Sequence, residues 1–185
     1  MNKRILSHIA IFVSLVALIV VARYMPHLAN FTPVAAAGLF AGYIFRSRIL
    51  AISVPLLGML LSDTLFAGHY NLGVMAIVYI AIAAPALAGN WLRKPSSSKF
   101  KHALKIMLGA GGGAILFFIS TNFADFLFSG MYAHNMTGLV ACYTAAVPFF
   151  RWTLVGDLAF AAILFGGYAL AMRGQARSIA ASQAA

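Results

Sequence analysis

The chain has 185 residues, of which 63% are hydrophobic and 9% charged, and a formal net charge of +10. That leaves too little polar surface to clothe a water-soluble fold, so the composition excludes a soluble globular domain and points to a protein embedded in a membrane. The charge does not read as affinity for nucleic acid. Apart from Arg23 and Arg151, every cation stands at the end of an apolar run: Lys3 and Arg4, Arg46 and Arg48, Arg93 to Lys105, and Arg173 with Arg177.

A membrane-crossing helix needs about twenty apolar residues. Six stretches are candidates: residues 5–21, 33–45, 49–66, 72–92, 104–118 with an extension to 128, and 149–172. The first follows a basic start, as a signal peptide would. It is longer than an ordinary signal core and no small-x-small cleavage pattern follows it, which predicts a retained helix. The second stretch, residues 33–45, is short, reaching only about 20 Å at the helical rise. Thr32-Pro33 suits its start, with a capping hydroxyl followed by proline at the first helical position. Keeping it as a crossing segment gathers all the cation clusters on one face, cytoplasmic by the positive-inside rule, with both termini on that face. Dropping it would scatter them over both. Residues 1–172 then form one six-helix transmembrane domain, all-α in class, and residues 173–185 read as a disordered cytoplasmic tail.

Ala37, Ala41, Gly38 and Gly42 in the second stretch are small residues four apart, a spacing that lets helix backbones approach closely in lipid. They serve either contact inside the bundle or docking of a partner subunit. Pro55 and Pro85 fall inside the third and fourth helices and predict kinks there. Between the fifth and sixth helices the chain stays semi-polar and rich in rings, which predicts a partly helical non-cytoplasmic loop. Residues 135–150 would cover a site there, and a re-entrant or surface helix over 135–147 would carry Cys142. One cysteine makes no intrachain disulfide.

The chain has no glutamate, and on this topology Asp63, Asp125 and Asp157 all lie in the non-cytoplasmic half. A carboxylate at membrane depth costs about 2.5 to 3.5 kcal/mol, so each should face a partner or a hydrated cavity. Asp157 is six residues from Arg151, too far for a pair within one helix, so a pairing would have to cross between helices. Rings interleaved with neutral amides suit a pocket that stacks a flat molecule and orients it by hydrogen bonds. The candidate substrate-binding residues are therefore Asn30, Asp63, His69, Tyr70, Asn122, Asp125, Tyr132, Tyr143, Trp152 and Asp157. Interfacial aromatic belts account for the same rings without a ligand. No hydrolase, metalloprotease or nucleotide-binding motif occurs, which argues against catalysis. The histidines show no metal-ligand spacing, so no cofactor is expected. A haem or metal redox protein using His69 and His134, and a structural subunit of a membrane complex, stand as alternatives.

Asn30-Phe31-Thr32-Pro33-Val34, Leu61-Ser62-Asp63 with Gly68-His69, Asn122-Phe123, Cys142-Tyr143 with Pro148-Phe149-Phe150, and Gly156-Asp157-Leu158 together resemble an uncharacterised bacterial integral-membrane family. That family is in turn similar to the substrate-binding S-components of energy-coupling factor (ECF) vitamin transporters. The resemblance implies a six-helix bundle of the bacterial cytoplasmic membrane that captures a small nutrient, such as a vitamin, from the outer side. It also implies an ECF-type coupling subunit and ATPases as partners. S-components dock through Ala-x-x-x-Ala on helix one, whereas Ala10, Ala17 and Ala22 here are not four apart, which leaves a solitary transporter as the other expectation.

Overall fold

In the computed structural model, which describes residues 3–26, 30–65 and 71–184, the chain is helical with no strand among the described residues. Six helices follow one another: α1 (Lys3–Tyr24), α2 (Val34–Ile44), α3 (Arg48–Leu65), α4 (Leu72–Leu92), α5 (Lys99–Phe128) and α6 (Met136–Ala184). Four of them, α1, α4, α5 and α6, are long and apolar enough to cross a membrane, and α2 is a shorter apolar helix.

The shortest helix is the hub. α2 touches each of the other five, which stand around it in the order α1, α3, α4, α5, α6. Ala36, Ala37, Leu39 and Ala41 are fully buried there. Its 11 residues rise only about 16 Å, well short of the roughly 30 Å hydrocarbon layer. A short helix wrapped in protein need not match the bilayer, because its own backbone and side chains meet other helices rather than lipid.

The close packing rests on glycine. A Cβ placed on Gly42 would lie 2.0 Å from the Ala86 carbonyl oxygen, and one on Gly89 would lie 2.2 Å from the Gly42 carbonyl carbon, so α2 and α4 meet backbone to backbone. Gly58 likewise admits Ile19 of α1, and Gly113 of α5 admits the Pro85 ring of α4. Ala37, Ala41, Gly38 and Gly42 are all buried in these contacts. The partner-docking reading of that surface is therefore corrected, since the chain's own helices occupy it. α3 and α4 run through Pro55 and Pro85 without interruption.

The outside is apolar. Ile9, Val13, Ile80, Leu108, Ile163 and Leu170 are all more than 45% exposed, as a lipid-facing coat would be. Helix ends sort by charge. Arg93 at the end of α4 donates to the Gly42 and Phe45 carbonyls at the end of α2, and the His102 ring near the start of α5 meets Tyr43. At the other end, Asn71 caps α4 by accepting from Gly73 and Val74 N–H and donates to the Phe128 carbonyl, pinning the start of α4 to the end of α5.

Three boundaries differ from the sequence reading. Thr32 does not cap α2: Pro33 occupies the cap position with no side-chain hydrogen bond, and Thr32 lines the cavity described below. α5 begins at Lys99 and continues to Phe128 without a break. α6 is one helix of 49 residues, about 73 Å long. Only residues 129–135 separate it from α5, so the expected loop is for the most part the first turns of α6, and the helix runs through Pro148. Its far end stays helical to Ala184, where the composition suggested a disordered tail.

Candidate functional site

Asn30 and Thr32, just before α2, form part of the wall of a cavity. Asn30 takes a left-handed backbone (φ 64°), and the Thr32 N–H donates to the Asn30 carbonyl at 3.1 Å, turning the chain sharply into α2. This turn fits against α6 because residue 156 is glycine, where a Cβ would lie 3.3 Å from Phe31 Cα and 3.4 Å from the Thr32 nitrogen. The next residue is Asp157. The motifs Asn30-Phe31-Thr32 and Gly156-Asp157 are thus two sides of one contact.

The cavity has a volume of about 300 Å³ and receives residues from the α1–α2 segment and from every helix. Its polar lining is Arg23, Asn30, Thr32, Asp63, Tyr79, Thr153 and Asp157, and its apolar lining includes Val34, Met59, Val78, Ile82 and Phe117. The two carboxylates have opposite surroundings. Asp63 pairs with Arg23 at 2.7 Å through one oxygen and accepts from the Tyr79 hydroxyl at 2.7 Å through the other. Arg23 also donates to Ser62 Oγ, which ties the end of α1 to α3. Asp157 is 3% exposed, and its Oδ2 has no hydrogen-bond partner among the described residues. An unmet buried acceptor is costly, and most native polar groups avoid that state.

Of the candidates read from sequence, the cavity gathers Asn30, Asp63 and Asp157. Asn122 lies in a smaller hollow of about 100 Å³ that shares Asn30, Phe117 and Thr153 with it. The other four described candidates stand elsewhere. Asp125 and Tyr132 do not line the cavity. The Tyr143 hydroxyl donates to the Ile119 carbonyl at 2.7 Å, and the Trp152 ring lies 5.1 Å from the Arg151 guanidinium. Arg151 is therefore not the partner of Asp157. His69 and Tyr70 lie outside the described residues. Cys142, 1% exposed, donates to the Asn122 carbonyl. Among the described residues no three histidine, cysteine or aspartate side chains converge as metal ligands would.

Arg23, Thr32, Tyr79 and Thr153 line the cavity but were not among the candidate binding residues read from the sequence. Arg23 stands out as one of two cations away from the clusters, a usable signal. Tyr79 sits in an apolar run with nothing to mark it.

A helical bundle with an apolar exterior around a mixed polar and apolar cavity is the architecture of a polytopic membrane protein. The chain belongs to a family of unknown function, DUF6580, whose model matches residues 3–181. No curated protein and no solved structure matches it.

Proposed function

We propose that the protein captures a small ring-containing nutrient in the Asp63–Asp157 cavity and carries it across the cytoplasmic membrane, without chemistry on the ligand, in the manner of an ECF S-component. On this reading six helices cross the bilayer, α2 being shielded by the others, and both termini are cytoplasmic. The Arg46/Arg48, Arg93 to Lys105 and Arg173/Arg177 clusters then share the inner face, and the cavity opens from the outer half.

The observation that carries the reading is Asp157: a buried carboxylate with one bare oxygen on the wall of a cavity sized for a drug-like fragment. A bound molecule that offers a protonated amine or ring N–H would complete it, while Phe117 and Ile82 cover its apolar face. Asp63 is already satisfied by Arg23 and Tyr79, which suits it to shaping the site rather than holding the ligand's charge. Coupling to a shared transmembrane subunit and ATPases, or solitary operation, are the two energy arrangements open to such a protein.

The test is equilibrium binding of purified full-length protein against a panel of vitamins and cofactor precursors that carry a ring and a basic nitrogen. At least one should bind, and Asp157→Asn should weaken it by about tenfold or more, the worth of a charge-assisted hydrogen bond. Arg151→Gln should leave it unchanged. A panel without a binder, or a binder indifferent to Asp157→Asn, overturns the proposal.

A further inference from the structure

The opposite end of the bundle contains a second, larger cavity, and it has the reverse electrostatics. It occupies about 810 Å³ where the end of α4, the start of α5 and the later part of α6 meet. Arg93, Lys94, Lys99 and Arg173 line it together with His102, and no acidic residue does. All three aspartates of the chain belong to the other half, so nothing within this pocket neutralises its cations.

Two polar atoms here are unmet. Arg93 is held in place by its Nη2, which donates to the carbonyls of Gly42 at 2.8 Å and Phe45 at 2.9 Å and to Asn90. Its Nε, and the hydroxyl of Ser96, are buried without a partner among the described residues. A guanidinium fixed by backbone acceptors, with a spare N–H, a spare hydroxyl and two lysines on the lining of the same pocket, is a receptor for an oxyanion. The pocket also borders the first turn of α5, where Ser98 accepts from the Lys101 N–H and the positive end of the helix dipole favours negative charge. Its remaining wall is apolar: Leu92, Ile106, Phe165 and Met172, with the rings of Tyr43 and Tyr168. A cationic rim above an apolar wall, at the end of helices that have lipid-facing flanks, matches an amphiphile better than a free ion.

We propose that this pocket binds the phosphate of an anionic phospholipid headgroup, with the start of an acyl chain against the Phe165 and Met172 side. The site does not depend on the small-molecule reading of the Asp157 cavity, and Asp157→Asn should leave it intact.

Native mass spectrometry of the full chain in detergent tests it, with phosphatidylglycerol, phosphatidylcholine and inorganic phosphate as probes. Phosphatidylglycerol should be retained at least about tenfold better than phosphatidylcholine, since basic residues at a membrane surface favour an anionic headgroup. The Lys94→Gln, Lys99→Gln, Arg173→Gln triple variant changes exposed side chains and should fold normally while losing that preference. Arg46→Gln with Arg48→Gln, which removes two cations from the same end but outside the pocket, should keep it. If inorganic phosphate at millimolar concentration displaces the lipid and binds alone in the absence of lipid, the pocket is a site for soluble phosphate. Equal retention by wild type and triple variant, or equal loss in the Arg46/Arg48 control, reduces the effect to diffuse surface charge and overturns the proposal.

Discussion

Asp63 and Asp157 line one cavity, and the same substitution should act on them with opposite sign. Asp63 is tied by an ion pair to Arg23 and a hydrogen bond from Tyr79, with both members of the pair under 20% exposed. Asp63→Asn takes away the carboxylate paired with Arg23, which keeps its hydrogen bonds to Ser62 and the Met59 carbonyl, and should cost about 2 kcal/mol of stability, less than a fully buried pair would because some solvent reaches it. Asp157 has little to lose, since its carboxylate is buried with one oxygen unmet. Asp157→Asn replaces a buried carboxyl whose Oδ2 the fold leaves without a partner, so stability should hold or rise by up to about 1 kcal/mol while binding falls. Unfolding midpoints of the two variants in detergent check this; a loss for Asp157→Asn as large as that for Asp63→Asn would mean that Asp157 is a structural residue. Both aspartates and Asn30 were legible in the sequence because polar groups at membrane depth need a reason to be there. Tyr132, Tyr143, Trp152 and Asp125 do not line the cavity, and sequence alone does not separate them from those that do, because polar and ring side chains near a helix end look alike whether they face a hollow or not. Tyr143 satisfies itself on the Ile119 carbonyl, as Asn122 does on that of Phe118.

Among the helices, the sequence placed α1, α3 and α4 closely, because an apolar run with polar or charged flanks marks the extent of a helix directly. It divided α6 in two, a short helix over 135–147 and a span from 149, because Pro148 and a run of polar and aromatic residues look like a break. A proline removes one N–H without forcing the helix to end, and the helix continues through it. Small residues were equally ambiguous: spacing alone does not say whether a partner or a neighbour takes the space. Here α4 does, at Gly42 and Gly89. Gly42→Ala should therefore destabilise by about 3 kcal/mol or more, since its Cβ would lie 2.0 Å from a backbone oxygen that cannot swing aside. Gly112→Ala, in α5 with nothing within 4 Å, should be neutral or stabilising by up to about 1 kcal/mol. Paired thermal melts separate the cases, and similar melting temperatures would mean that α2 and α4 are not in backbone contact.

Across the whole molecule, the two cavities are set at opposite ends with opposite charge, and that polarity decides how the protein can sit in a bilayer. Arg93, Lys94, Lys99 and Arg173 border the cavity at one end, Asp63 and Asp157 that at the other. Of the two cations outside the clusters, Arg23 is neutralised by Asp63 and Arg151 stacks on Trp152, so neither competes with the clusters as a topological signal. Positive charge is retained on the cytoplasmic face, so the six-crossing arrangement predicts that Ser97, between α4 and α5, and Met131, between α5 and α6, face different compartments. Both side chains are exposed and Cys142 is 1% exposed, so single cysteines at 97 or 131 in a Cys142→Ala background give a clean readout. In intact cells an impermeant maleimide should label Met131→Cys and spare Ser97→Cys until the membrane is opened. Labelling of both from outside would mean that α5 does not cross. Labelling of Ser97→Cys alone would invert the molecule, which would turn the Asp157 cavity toward the cytoplasm and make capture from outside untenable even if the cavity binds a small molecule.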